Sequence, residues 1–105
     1  MRRVAVTGLG IICSIGNGVQ EVMAALREAR SGVTLSEIYK KMGFRCQVEG
    51  SLKVDIDAMV DRRARRFMGD GAAFNFLAME QAIRDSGLEA KDVINERTGL
   101  IMGSG

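Results

Sequence analysis

The chain has 105 residues, of which 47% are hydrophobic and 27% charged, as in ordinary globular domains and unlike disordered proteins. A net charge of +2 does not indicate nucleic-acid binding by the whole chain, and the absence of histidine excludes histidine-based catalysis and metal binding by these residues alone. Two cysteines and the lack of a long apolar run predict a cytoplasmic protein with neither a disulfide framework nor a membrane span.

The chain begins with a predicted strand, turn and helix. Residues 2–12 predict a buried strand, because β-branched residues alternate with small ones before a glycine-rich turn. A helix is predicted over 18–29, with Asn17 as its N-cap, Gln20 as the capping-box partner and Gly32 as its stop. This order is typical of an α/β domain.

Shorter elements are predicted in the middle of the chain. Ser36 is expected to cap a short helix that Gly43 closes. Weak alternation at 45–49 and 52–54 predicts short edge strands or extended loop, and 57–60 is expected to form one turn.

A long helix dominates the predicted second half. It covers about 63–86, carries a broad apolar surface and ends at Gly87. A polar connection over 89–97, a second buried strand over 98–102 and a glycine-rich turn at 103–105 follow. Because this is half a sheet at best, we expect the N-terminal part of a larger protein, or a unit completed by another chain.

The first glycine-rich turn resembles a nucleotide-binding motif only in part. Gly8 and Gly10 begin the dinucleotide fingerprint, but Cys13 stands where the third glycine belongs. The next helix also begins too late to hold a pyrophosphate. We therefore interpret the glycines as packing residues, with nucleotide binding as the alternative. Without a histidine to activate them, Cys13 and Cys46 are interpreted as structural.

A cluster of four arginines in five positions precedes the long helix: Arg62, Arg63, Arg65 and Arg66. In a helix, Arg62, Arg65 and Arg66 share one face and Arg63 projects to one side of it. Cations at a helix N-terminus oppose the macrodipole, so this arginine cluster indicates an external anionic partner, against the alternative of a solvated helix start.

Taken together, the motifs resemble the start of β-ketoacyl-acyl-carrier-protein synthases, and the type I bacterial branch more than type II. The matching stretches are 4–10, 14–17, 30–33, 61–63 with 66–68, 79–83 with 86–88, and 99–105. The resemblance implies a thiolase-like α/β fold with α-β-α-β-α layers, usually in a homodimer. Residues 1–105 would form the first part of its N-terminal half, without an internal boundary.

The resemblance also implies an activity, the condensation of an acyl thioester with malonyl-acyl carrier protein in fatty acid biosynthesis. This is a decarboxylating Claisen condensation. The family's nucleophilic cysteine and two histidines are expected after Gly105, so no catalytic residue is assigned and the chain alone is expected to be inactive. Substrates arrive on the phosphopantetheine of acyl carrier protein, and no cofactor, metal, nucleic acid or membrane is expected.

One functional feature matches the family residue by residue. The resemblance implies that Arg62, Arg63 and Arg66 form part of the docking surface for the acidic carrier protein. Arg65 has no family match, and Arg45 is an additional candidate. Two other hypotheses remain: a synthase relative that lacks the nucleophile, and a non-catalytic binding module that uses the arginine cluster.

Overall fold

The computed structural model describes residues 1–103, which combine short helices with one small sheet. Its elements in chain order are α1 (Val19–Arg27), β1 (Thr34–Leu35), α2 (Glu37–Lys41), β2 (Val48–Glu49), α3 (Ile56–Met59), α4 (Arg62–Arg65), α5 (Asp70–Ser86) and α6 (Ala90–Val93). They belong to two units: Met1–Ile11 with the chain from Asp55 onward, and Ile12–Val54. Within residues 1–103, no helix has the length and hydropathy to cross a membrane.

In the Ile12–Val54 unit, α1 confirms the predicted first helix but not its predicted N-cap. The N-cap is Gly18, which has no capping side chain. A start one residue later places Glu21, not Gln20, in the third helical position. Its carboxylate accepts a hydrogen bond from the Asn17 N–H at 2.8 Å. The donor is the residue before the N-cap, so this bond differs from the return bond of a capping box, in which the N-cap N–H donates.

Helix α1 also ends earlier than predicted. Ala29, with φ 51, adopts the left-handed conformation that was expected of Gly32. The helix buries Val22 and Ala25, which form the apolar core of this unit.

Helix α2 confirms the predicted short helix and both of its end signals. The Ser36 hydroxyl accepts a hydrogen bond from the Tyr39 N–H at 3.4 Å, and Gly43 follows the helix with φ 70. Ser36 is only 2% exposed, so this cap is shielded from water.

The sheet of this unit pairs β1 with β2 in antiparallel register, with Thr34 opposite Glu49 and Leu35 opposite Val48. Strand β2 lies at the end of the predicted segment 45–49. Residues 52–54 form no strand, which is the extended-loop alternative of the prediction, and β1 was not predicted. Two-residue strands are too short for a period-two pattern to show in the sequence.

In the other unit, the predicted buried strand over 2–12 is wrong. Within residues 1–103 this segment has no partner strand, and Val4 and Val6 are exposed. The Leu9 N–H donates to the Asp85 carboxylate (2.9 Å) and the Ile11 N–H to the Gln81 side chain (3.1 Å). Side chains of α5 therefore accept amide hydrogens that a strand would give to a neighbouring strand.

Gly8 and Gly10 allow this segment to approach α5 closely. A Cβ atom at Gly8 would lie 2.1 Å from the Ala82 carbonyl oxygen, and one at Gly10 would lie 1.8 Å from that of Ala78. Their interpretation as packing residues is confirmed, because the backbone of α5 occupies the space that a side chain at either position would need.

The predicted helix over 63–86 is two helices, α4 and α5, with a break between them. Gly69 is extended (φ −69, ψ 168) and precedes α5 as its N-cap. Phe67 lies in the break and is 90% exposed, while Ala73 and Leu77 are buried on α5. Two glycines, Gly69 and Gly71, weaken the helix at this point, and apolar spacing alone did not reveal it.

The remaining predictions for this unit had mixed outcomes. The single turn expected at 57–60 is α3, and Gly87 ends α5 in the left-handed conformation (φ 69) as predicted. The expected connection over 89–97 contains α6. The strand predicted at 98–102 is wrong, because among the described residues nothing pairs with it. Part of the predicted turn, 104–105, lies outside the described residues.

Candidate functional site

The arginine cluster is built on α4, a helix of one turn that depends on its N-cap. The Asp61 carboxylate accepts hydrogen bonds from the Arg63 N–H (2.9 Å) and the Ala64 N–H (3.4 Å). A single turn is not stable by its own hydrogen bonds, so the cap and the surrounding contacts decide the direction of its side chains.

We expect the replacement of Asp61 by alanine to loosen α4. Loss of an N-cap costs about 1 kcal/mol, which corresponds to about fivefold faster amide hydrogen exchange at Arg63 and Ala64. Asp61→Asn is the matched control, because asparagine caps as well as aspartate but carries no charge. Equal exchange in Asp61→Ala and Asp61→Asn would contradict the role of the cap.

Three arginines of the cluster differ from the fourth. Arg62, Arg63 and Arg66, here called the outer arginines, are exposed, and none makes an ion pair with another described residue. Arg65 is only 26% exposed and pairs with two carboxylates. The outer arginines therefore keep their hydrogen-bond donors for an external partner.

The guanidinium of Arg65 contacts three separate segments. Its Nε lies 3.2 Å from Asp57 Oδ1 on α3, and its Nη2 lies 2.6 Å from Asp70 Oδ1 at the start of α5. Its Nη1 donates to the Met68 carbonyl in the break between α4 and α5. Neither carboxylate lies at a helical spacing from Arg65, so sequence reasoning missed both pairs.

These contacts raise the pKa of Arg65. The hydrogen bond to Asp57 is the largest cause, desolvation opposes it, and Asp70 raises the pKa further. Because folding raises the pKa of Arg65, the charged guanidinium stabilises the folded protein at any pH below the ordinary arginine pKa. This stabilisation is lost only in strong alkali. Arg65 therefore stays charged, and can pair with Asp57 and Asp70, at any physiological pH.

The cluster borders two surface depressions. The larger has a volume of about 760 Å³ and is lined by Asp57, Val60, Arg62, Arg65 and Arg66. A second depression of about 290 Å³ is lined by Asp61 and the three outer arginines. Arg62 and Arg66 thus border both depressions, Arg65 only the first and Arg63 only the second.

The structure corrects one argument for an anionic partner. The arginines do not stand at the N-terminus of a long helix, because α5 begins at Asp70, whose carboxylate suits the helix dipole. The macrodipole therefore gives no reason to expect an anion at the arginine cluster. The outer arginines still favour an anionic partner, because they are exposed and have no carboxylate partner in the described chain.

The other candidate residues belong to the Ile12–Val54 unit. Arg45 is exposed between α2 and β2. Cys46 is also exposed, and its thiol contacts the Val48 carbonyl oxygen at 3.8 Å. Cys13 is half-buried and exchanges two backbone hydrogen bonds with Gly16. Across residues 1–103, no group of three or more histidine, cysteine, aspartate or glutamate side chains is placed to hold a metal ion.

Comparison with known proteins identifies the family. The model of the β-ketoacyl synthase N-terminal domain matches residues 1–105. The chain is 51% identical over 106 residues to 3-oxoacyl-[acyl-carrier-protein] synthase 1 of Escherichia coli K12, and 45% identical over 105 residues to that of Haemophilus influenzae. It is 32% identical over 105 residues to 3-oxoacyl-[acyl-carrier-protein] synthase 2 of Vibrio cholerae.

The chain belongs to the β-ketoacyl synthase family. The matches cover 100%, 100% and 99% of the chain but only 26%, 26% and 25% of the respective relatives, so it spans about a quarter of their length. The resemblance found from the sequence motifs is thus confirmed, including the greater similarity to type I than to type II enzymes.

Proposed function

We propose that the protein containing this chain is a condensing enzyme of fatty acid biosynthesis. It joins an acyl thioester to malonyl-acyl carrier protein with loss of carbon dioxide. The match of the family model to the whole chain carries this proposal, and the names of the relatives give acyl carrier protein as the substrate carrier. A thiolase-like layered fold, a homodimer and a cytoplasmic location are part of the same proposal.

Within that enzyme, the chain supplies scaffold and part of the surface that binds acyl carrier protein. The exposed outer arginines, Arg62, Arg63 and Arg66, support this role, because guanidinium groups form paired hydrogen bonds with carboxylates and phosphates. Charges at the rim of such an interface mainly speed association and set its register. Arg45 is a further docking candidate, on the strength of its exposure alone.

The catalytic groups of the proposed reaction come from other residues than these. The chain contains no histidine, and its two cysteines, Cys13 and Cys46, do not match the family's nucleophile. The reaction uses no cofactor beyond the phosphopantetheine arm that carries its substrates.

The activity is tested with protein from the complete coding sequence. It is incubated with acyl-carrier protein and malonyl-carrier protein labelled in the free carboxyl group, and both released carbon dioxide and 3-oxoacyl product are measured. We expect the two in equal amounts. Carbon dioxide without 3-oxoacyl product would favour the relative that lacks the nucleophile. Binding of the carrier without either product would favour a binding module.

A chimera tests the contribution of this chain itself. The 106 matching residues of the Escherichia coli relative are replaced by the 105 residues of this chain. If the chain is the equivalent scaffold and docking region, the chimera retains condensation with carrier-bound substrates. A folded chimera without this activity would contradict the equivalence.

A further inference from the structure

Arg65 links α4 to the elements on both sides of it. One planar group contacts Asp57 on α3, Met68 in the break, and Asp70 on α5. Arginine suits this arrangement because its five N–H donors point in fixed directions, whereas the ammonium of lysine is a single point charge. The Met68 N–H also donates to the Arg65 carbonyl at 3.1 Å, so both ends of this residue engage the break.

Two backbone hydrogen bonds also shape the break, from the Phe67 N–H to the Ala64 carbonyl and from the Met68 N–H to the Arg65 carbonyl, both at 3.1 Å. A Cβ atom added at Gly69 or Gly71 would meet nothing within 4 Å, and α5 begins without a side-chain cap. Glycine allows more backbone conformations than any other residue. The guanidinium of Arg65 adds side-chain contacts from α4 to Asp57 on α3 and to Asp70 on α5, and these contacts help to set the direction of α4.

The charge of Arg65 is already engaged within the protein. Each of its two partners is largely exposed, and a single exposed ion pair contributes little to stability. Together, however, the pairs reduce repulsion between Arg65 and the neighbouring Arg62 and Arg66, which line the same depression. Arg65 is thus suited to hold the outer arginines in place and not to bind an anion itself.

We propose that Arg65, with Asp57 and Asp70, is a positioning residue that orients the outer arginines for the acidic carrier protein. This proposal rests on the docking role proposed above. It gives a role to Arg65, a residue to which the family resemblance assigns no role. The carboxylates act through Arg65: they fix its guanidinium, which fixes α4, which directs Arg62, Arg63 and Arg66.

One double variant distinguishes positioning from direct binding by whether it strengthens or weakens binding of the carrier protein. Asp57→Asn with Asp70→Asn removes two negative charges and weakens the contacts of the Arg65 guanidinium, because an amide oxygen is a weaker acceptor than a carboxylate. If Arg65 were simply another docking cation, this variant would bind the acidic carrier more tightly. If Arg65 is a positioning residue, the variant binds the acidic carrier more weakly, although its surface has become more positive.

The test measures kcat and KM of the enzyme from its complete coding sequence. Two substrates are compared: acyl-carrier protein, and an acyl thioester of free pantetheine. We expect Arg65→Gln and Asp57→Asn/Asp70→Asn each to raise KM for the carrier-bound substrate by about three- to tenfold, because the outer arginines must then be ordered on binding. Arg65→Lys is expected to recover part of this loss, and kcat/KM for the pantetheine thioester is expected to change less than twofold, roughly.

Arg84→Gln is the matched control, since it removes an exposed positive charge from α5 outside the cluster. An unchanged or lower carrier KM in the double aspartate variant would overturn the positioning role, and so would equal losses with both substrates. If reversal of the outer arginines also leaves the carrier KM unchanged, the proposed docking function fails. If that reversal raises the carrier KM and Arg65→Gln does not, only the role of Arg65 fails.

Discussion

Reversal of the outer arginines, with Arg62, Arg63 and Arg66 all replaced by glutamate, raises the apparent KM for acyl-carrier substrates by about a hundredfold. This corresponds to roughly 1 kcal/mol at each position, at the upper end of exposed charge interactions. The physical reason is that three attractive contacts to an acidic partner become repulsive. Steady-state kinetics of the enzyme from its complete coding sequence, with acyl-carrier protein as the varied substrate, measures this effect.

Salt dependence gives a second measurement of the same variant. In the parent enzyme, salt screens the attraction, so the carrier KM rises with ionic strength. In the reversed variant this slope flattens or changes sign. Replacement of all three residues by lysine is the control, because charge is kept and only the paired hydrogen bonds are lost. Unchanged kinetics of the glutamate variant with carrier-bound substrates would contradict the docking role.

Replacement of Gly10 by alanine is expected to destabilise the fold by about 3 kcal/mol, and by valine to prevent folding. The added Cβ atom would lie 1.8 Å from the Ala78 carbonyl oxygen and 2.8 Å from the Ala82 nitrogen. Both are backbone atoms of α5, so no change of side-chain rotamer can relieve the overlap. The unfolding temperature and the hydrogen exchange of α5 amides in the enzyme from its complete coding sequence measure the loss.

Gly71→Ala is the matched control for Gly10→Ala. Gly71 lies in the first turn of α5 with open space around it, and alanine favours the helix. This variant is therefore expected to be more stable by about 0.5 kcal/mol. If Gly10→Ala unfolds at the temperature of the parent enzyme, the segment does not pack against α5 as described.

Local signals predicted the helix ends well where one residue decides them. Ser36 caps α2, and Gly43 and Gly87 follow their helices in the left-handed conformation, because capping depends on a few neighbouring atoms. The same approach gave the wrong N-cap for α1, where Asn17 was one residue early. It also missed the break at Gly69, because apolar spacing continues across it.

The strands could not be predicted in this way. A ladder needs a partner that is remote in sequence, and none pairs with 2–11 or 98–102 in the part of the chain that the structure describes. The β-branched residues of these segments indicate a preference for extended backbone, but they do not indicate which other segment would pair with them. Strands β1 and β2 pair across 12 intervening residues, 36–47, which no short-range signal connects.

The sequence by itself determined the family and the presence of the arginine cluster, because motif order and residue type are properties of the chain alone. Only the tertiary structure decided that the four arginines are not equivalent. Asp57 and Asp70 are eight residues before and five residues after Arg65, spacings that no single helix brings together. The extended turn at Val60 between α3 and α4 brings Asp57 to the guanidinium of Arg65, and the break between α4 and α5 brings Asp70 to it. The outer arginines remain available for a partner.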